Sequence, residues 1–300
     1  MRSLYGQALN EQRRASLGLP LSDSTMHLVF SGPPGTGKTT MAREVGRLYY
    51  SLGLIDNDPN TAAGFKEISV PDLIAEYKGQ TPQRVKDIFQ GNKEKGIAPG
   101  IGGVIFIDEA YGLVSGKDDE YGRQAIAELL RQAENNRDNT VVIMAGYDKE
   151  MNDLFTSNPG LARRFPKTLH FTPFDAEERY EIMGKYVTSG GFTVGRGRAA
   201  EDVRQAMRDA ILETGDGNAG DVRNLWEQIK SAQSDRLATM DLESLPETRQ
   251  VAALTRITVS DVKVGGNRFK LSARVEQPLR GTLIPTGTKK RASGRKKQVA

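Results

Sequence analysis

The sequence predicts an α/β fold, a parallel sheet flanked by helices, followed by a small C-terminal helical domain. Three observations predict it. Five short apolar runs recur with amphipathic stretches between them. A glycine-rich turn joins the first run to the first amphipathic stretch. Beyond Phe171-Thr172-Pro173-Phe174 the apolar spacing turns helical as far as about residue 240. Strands that are apolar along their whole length are buried on both faces, which is the condition of a parallel sheet between helical layers.

Each element has its own warrant. Residues 1–25 form a polar lead-in in which Gln7 to Leu17 has helical spacing, ended by Gly18 and Pro20. LVFSG (28–32) is the first strand, and TTMAREVGRLYYSLG (39–53) is a helix with Met41, Val45, Leu48 and Leu52 on one face. FKEISV (65–70) is the second strand. Thr81 and Pro82 then open a helix to about Asn92, with Thr81 as N-cap and the proline in the first turn. GVIFID (103–108), VVIMAG (141–146) and TLHF (168–171) are further strands, and a helix runs from about Tyr121 to Asn135. Residues 26–172 therefore read as one large α/β domain.

Asp175 and Glu178 make a capping box that opens the helical domain, 173–245, with helices over Ala176 to Tyr186, Ala200 to Thr214 and Asp221 to Met240. Trp226 falls on a stripe with Val222, Leu225 and Ile229 and reads as core. Residues 246–285 form an extension in which ITVSDVKV (257–264), a GGN turn and RFKLSARV (268–275) read as a hairpin.

Composition excludes several chemistries. Cysteine is absent and the two histidines, His27 and His170, are far apart in sequence, which rules out thiolate zinc sites and leaves little for a Ser-His triad. The chemistry must come from carboxylates, Lys, Arg, hydroxyls and backbone. No apolar run approaches the roughly 18 residues of a membrane span, and the first residues lack the apolar core of a signal peptide, so the expectation is a cytoplasmic protein without a membrane partner. The net charge of +4 is carried by one end. Residues 286–300 hold Lys289, Lys290, Arg291, Arg295, Lys296 and Lys297 with no acidic residue, so the rest of the chain is slightly acidic. Such a tail buries too little apolar area to offset its ordering entropy and reads as disordered.

The strongest chemical signal is Gly32-Pro33-Pro34-Gly35-Thr36-Gly37-Lys38-Thr39, followed by Thr40, which satisfies G-x-x-x-x-G-K-[ST] between a strand and a helix. Small residues let backbone N–H groups curl around phosphate oxygens and the helix N-terminus adds its positive end. Lys38 then reaches the β- and γ-phosphates and the Thr39 hydroxyl holds Mg²⁺. Val104 to Ile107 runs into Asp108 and Glu109, at the strand end where parallel sheets bind ligands. Asp108 is placed to join the Mg²⁺ shell and Glu109 to deprotonate an attacking water, so the pair predicts hydrolysis of the bound nucleotide.

These motifs, together with DLIAEYKGQT (72–81), GGVIFIDEAYGL (102–113), YGRQAIAELL (121–130), ENNRDNTVVIMAGY (134–147) and NPGLARRF (158–165), make the sequence resemble the AAA+ ATPases. Within them it is similar to the CbxX/CfqX group, which takes in the red-type Rubisco activase, the ATPase domain of the type VII secretion protein EccA and the stage V sporulation protein K type. The resemblance implies a ring, usually a homo-hexamer, with ATP between subunits. It implies Arg164 as the finger that reaches a neighbour's γ-phosphate, in preference to Arg163, and Arg223 as the lid-borne arginine that reaches the same ATP. Where most AAA+ proteins end the fourth strand in a polar residue, this one ends in Gly146 and Tyr147; the tyrosine either presents its hydroxyl or packs on the sheet.

Glu76-Tyr77-Lys78-Gly79 follows the second strand, where AAA+ translocases carry an aromatic-x-Gly pore loop. On that reading Tyr77, Lys78 and Gly79 grip an extended polypeptide by apolar and backbone contact. The expectation is an ATP-driven motor that remodels or translocates a protein client. The alternatives are a nucleic-acid-associated ATPase that uses the basic tail and a nucleotide-dependent assembly switch.

Overall fold

The computed structural model describes residues 2–19, 25–75, 79–114 and 119–275. The basic tail, with Tyr77 and Lys78, lies outside the described residues. Helix α1 (Arg2–Ser16) precedes β1 (Leu28–Ser31), α2 (Lys38–Ser51), β2 (Phe65–Ser69), the single turn α3 (Val70–Leu73) and α4 (Thr81–Gln90). Then come β3 (Val104–Asp108), a 3₁₀ turn over Ala110–Val114, α5 (Asp119–Asn135), β4 (Val141–Gly146), α6 (Asp148–Ser157), α7 (Pro159–Arg164) and β5 (Lys167–His170). The lid consists of α8 (Ala176–Ser189), α9 (Arg198–Leu212), α10 (Ala219–Ala238), α11 (Glu247–Thr255) and α12 (Val259–Val275).

The five strands form one parallel sheet in the order β2-β3-β4-β1-β5. Successive side chains of a strand point to opposite faces, and here both faces are covered. Leu28, Phe30, Val104, Phe106, Val141 and Ile143 pack with Ala42, Val45 and Tyr49 of α2 and with Leu4 and Ala8 of α1. Val29, Ile105, Ile107, Val142 and Met144 pack with Val85, Ile88 and Phe89 of α4, Leu129 of α5 and Leu154 of α6. Each such large side chain contributes about 1.5–3 kcal/mol on burial, so α1 belongs to the domain although its sequence reads as a polar lead-in.

Two sequence expectations are corrected. Thr81 does not cap α4: Gln80 is the N-cap, and the buried Thr81 hydroxyl instead accepts from the Ala75 N–H at 3.2 Å, tying the helix to the preceding loop. Nor do residues 257–275 form a hairpin. Val259–Val275 is helical, started by Thr258 and Asp261, whose side chains each accept the other's backbone N–H. The Gly265-Gly266 pair that suggested a turn is a packing device. A Cβ at Gly265 would lie 2.7 Å from Ile229 Cα, so the glycine lets α12 press against α10. The lid core accordingly includes Ile257, Val262 and Phe269 beside Met183, Met207, Leu225 and Trp226. The Trp226 ring meets Phe192 edge-on at 5.2 Å.

Candidate nucleotide site

At the C-terminal ends of the strands the glycine-rich loop leaves β1 through three residues that need glycine's freedom. Gly32, Gly35 and Gly37 have φ of 147°, 71° and 85°. A Cβ on Gly32 would fall 2.3 Å from the Phe171 carbonyl oxygen, and one on Gly35 equally close to that of Gly217. Gly37 is the N-cap of α2, so the helix's first N–H groups and its positive end face the loop. The Lys38 ammonium donates to the Gly32 and Pro33 carbonyls, both at 2.8 Å. Its pKa is lowered by burial, against which the carboxylates of Asp108 and Asp148 act.

Pro34, Gly35, Gly37, Lys38, Thr39 and Thr40 line a cleft of about 390 Å³ together with Asp108, Glu109, Tyr111, Gly146 and Tyr147. From the lid come Tyr186, Ala219, Gly220 and Arg223. Gly32, Pro33 and Thr36 belong to the loop but do not line the cleft; the Thr36 hydroxyl donates to the Pro33 carbonyl at 2.8 Å and holds the turn. Asp108 ends β3 with its Oδ1 accepting from the Glu109 N–H at 3.0 Å. Glu109 has φ of 50°, which is strained for a glutamate, at the point where the chain leaves the strand.

Tyr111, which the sequence reading did not single out, stacks on Tyr147 with centroids 5.6 Å apart. Burial and the neighbouring Glu109 carboxylate push its hydroxyl pKa up to about 12. The Tyr147 ring also lies 6.0 Å from the Lys38 ammonium. Tyr147 thus stacks on another ring in the cleft wall. Arg223 makes no hydrogen bond or ion pair among the described residues, while Glu227 pairs with Lys230 at 2.8 Å and Asp221 accepts from the Gly217 N–H.

A second group sits at the same sheet edge. His170 Nδ1 lies 2.8 Å from Ser31 Oγ and 3.3 Å from Asp148 Oδ1. One ring nitrogen meets both partners, so no proton relay runs from one side of the imidazole to the other. The Asp148 pKa is lowered, first by the hydrogen bond from Ser31. His27 is buried away from the cleft: its Nε2 bonds to the Ala133 carbonyl and its Nδ1 accepts from the Val142 N–H, each at 3.1 Å.

Arg164 is not in the cleft. With Arg163 it lines another cavity, of about 600 Å³, shared with Thr25, His27, Glu134 and Arg137. Its Nε is 3.0 Å from Glu134 Oε2. Of the pore-loop segment only Gly79 is described, at φ 83°.

The donor set suits a nucleotide with Mg²⁺. One ammonium, glycine backbone and a helix N-terminus face phosphate-sized space, and Thr39 and Asp108 offer hard oxygens there. No cluster of three or more His, Cys, Asp or Glu occurs among the described residues. A cation with one or two protein ligands and the rest from phosphate and water fits Mg²⁺.

Fold and cleft together define a P-loop nucleoside-triphosphatase with a helical lid. Residues 28–173 match the family model "ATPase family associated with various cellular activities (AAA)" and residues 175–271 match an AAA lid domain. The chain belongs to the AAA+ ATPases and is related to the group that holds the following relatives. It is 30% identical to stage V sporulation protein K of Bacillus subtilis over 80% of this chain and 71% of that protein. It is 33% identical to protein CbbX of Cereibacter sphaeroides over 77% and 71%. It is 35% identical to the ESX-1 secretion system protein EccA1 of Mycobacterium tuberculosis over 79% of this chain but 41% of that protein. In fold it is similar to the FIGL-1 AAA domain in complex with ADP, with a TM-score of 0.58 and 21% identity over 94% of this chain and 82% of that one. An AAA+ ATPase module of this kind is typical of ring-forming motors, and family membership implies use of ATP and Mg²⁺. Among the described residues no helix is long and apolar enough to cross a membrane.

Proposed function

We propose that this chain is an ATP-hydrolysing ring motor, a homo-hexamer, that remodels or translocates a protein client with Tyr77, Lys78 and Gly79 facing a central pore. The supporting observation is the division of charged groups. Lys38, Asp108, Glu109 and Arg223 converge on one cleft, while Arg164 borders a different cavity. Arg164, paired with Glu134 outside its own subunit's cleft, is the arginine this reading assigns to a neighbour's.

In this reading the glycine-rich loop and Lys38 hold the β- and γ-phosphates of the substrate. Thr39 and Asp108 would hold Mg²⁺, whose chemistry there is neutralisation of phosphate charge. Glu109 takes the proton of the attacking water. Arg223 closes the lid over the phosphates, and Arg164 of the adjoining subunit neutralises charge in the transition state, so turnover depends on assembly.

The test separates motor from work. Tyr77→Ala should leave basal ATPase within about twofold of wild type and abolish its stimulation by a permanently unfolded test polypeptide. Deleting residues 286–300 should leave both intact. If deletion of the tail removes stimulation by DNA or RNA and Tyr77→Ala changes nothing, the nucleic-acid reading replaces this one. An assembly switch is disfavoured by the presence of Glu109 in the cleft. It would be favoured by a Glu109→Gln variant as slow as wild type.

A further inference from the structure

Asn218 occupies an unusual place. It is buried, at 3% exposure, and precedes α10 with φ 54° and ψ −128°, a region that residues with a side chain rarely adopt. Its carboxamide makes three hydrogen bonds. Nδ2 donates to the Pro34 carbonyl in the glycine-rich loop at 3.0 Å and to the Asp216 carbonyl at 2.9 Å. Oδ1 accepts from the N–H of Phe174, in the link between the two domains, at 2.9 Å. One side chain thus joins loop, link and lid.

The backbone around it repeats the connection. The N–H of Ala219, first residue of α10, donates to the Gly35 carbonyl at 3.0 Å. The Gly217 carbonyl lies so near Gly35 that a Cβ there would approach to 2.3 Å. Arg223, one turn further along α10, lines the cleft with no other partner among the described residues to orient it. The start of its helix is therefore what places it.

We propose that Asn218 is a positioning residue for the nucleotide site: by tying Pro34 to Phe174 and to the first turn of α10, it sets Arg223 at a fixed distance from the phosphate loop. The inference rests on the cleft being the ATP site. A strained backbone persists where surrounding bonds over-determine it, and here those bonds run to the loop and to the link. The strain has a specific return: α10 starts against the loop itself.

Two substitutions divide the role. Asn218→Asp keeps the acceptor for Phe174 N–H but replaces the donor to Pro34 with a negative oxygen facing a carbonyl. Asn218→Gly relieves the strained φ and removes every side-chain bond. The expected result in both is ATP dissociation at least tenfold faster than wild type in stopped flow with a fluorescent ATP analogue, and a kcat lowered less than KM is raised. Arg223→Ala should cost far less in the Asn218→Asp background than alone, because an arginine already displaced has little left to lose. Unchanged dissociation in folded Asn218→Asp and Asn218→Gly, or an Arg223→Ala effect that adds in full, overturns the proposal. So does a lowered melting temperature with nucleotide kinetics intact, which would make Asn218 a packing residue. A wild-type chain that hydrolyses no ATP instead overturns the assignment of the cleft and is seen before any variant is made.

Discussion

Gly146 and Tyr111 stand in a contact that no larger residue at position 146 permits: a Cβ added to the glycine would lie 2.7 Å from Tyr111 Cδ1 and equally close to Met151 Sδ. The end of β4, where the sequence lacks the polar residue usual in most AAA+ proteins, is thus the seat of an aromatic ring. That ring neighbours Glu109 and stacks on Tyr147.

Gly146→Ala should displace Tyr111 and lower kcat at saturating ATP by about tenfold or more. The added methyl should also cost about 1–3 kcal/mol in unfolding free energy. Steady-state ATPase and urea melts read the two effects separately. Normal kcat with lowered stability would confine the contact to packing.

Arg164→Ala should reduce hydrolysis by about 10³-fold or more if its guanidinium acts on the transferred phosphate, and mixing it with Lys38→Ala subunits should restore part of the activity. Each variant spoils a different side of an interface, so mixed rings contain some intact pairs. Activity is measured across mixing ratios, with mass photometry to verify mixed rings; a flat zero would assign the arginine to its own subunit or shift the role to Arg163.

Stability should fall as pH drops from about 6.5 toward 4. His27 has its pKa lowered from 6.5 to about 4, chiefly by burial, with Glu134 and Arg164 as the charges that act on it. Between those values the unfolded chain binds more protons than the folded one, so acid favours unfolding, by about 3 kcal/mol over the whole window. His27→Gln retains a donor and an acceptor but does not titrate. Urea unfolding at pH 7 and pH 4 should therefore show a smaller loss for the variant than for wild type.

Gly265→Ala and Gly266→Ala should differ in sign although they are neighbours in one helix. Alanine favours helix over glycine by about 1 kcal/mol, and at Gly266 its Cβ would meet only Ala210 Cβ at an ordinary 3.7 Å. At Gly265 it would strike the α10 backbone at 2.7 Å, at a cost of about 1–3 kcal/mol. Thermal melts of the two variants check this.

Much of the fold was legible because its signals are local. VIFI and VVIMAG are apolar at every position, and the glycine-rich loop and the Asp108-Glu109 pair are contiguous strings. The hairpin reading failed at Gly265-Gly266 because glycine serves turns and close helix contacts alike; the T-x-x-D of Thr258 and Asp261 was the local sign of a helix start. Tyr111 and Asn218 were illegible for another reason. Their partners, Tyr147 and Pro34, are brought to them by the sheet order and the lid closure, which no short string encodes.

The register of the first strand bears on how the chain is made. Leu28 to Ser31 pairs on one side with residues 143–146 and on the other with 167–170. The earliest strand to leave the ribosome is therefore the last to be flanked on both sides. At about 5–20 residues per second, synthesis of its neighbours takes on the order of ten seconds, during which an apolar strand has at least one edge open to other chains. Such distant pairings also fold slowly. Truncations that end before residue 167 should be recovered as aggregates, while removal of residues 276–300 leaves every strand its neighbours.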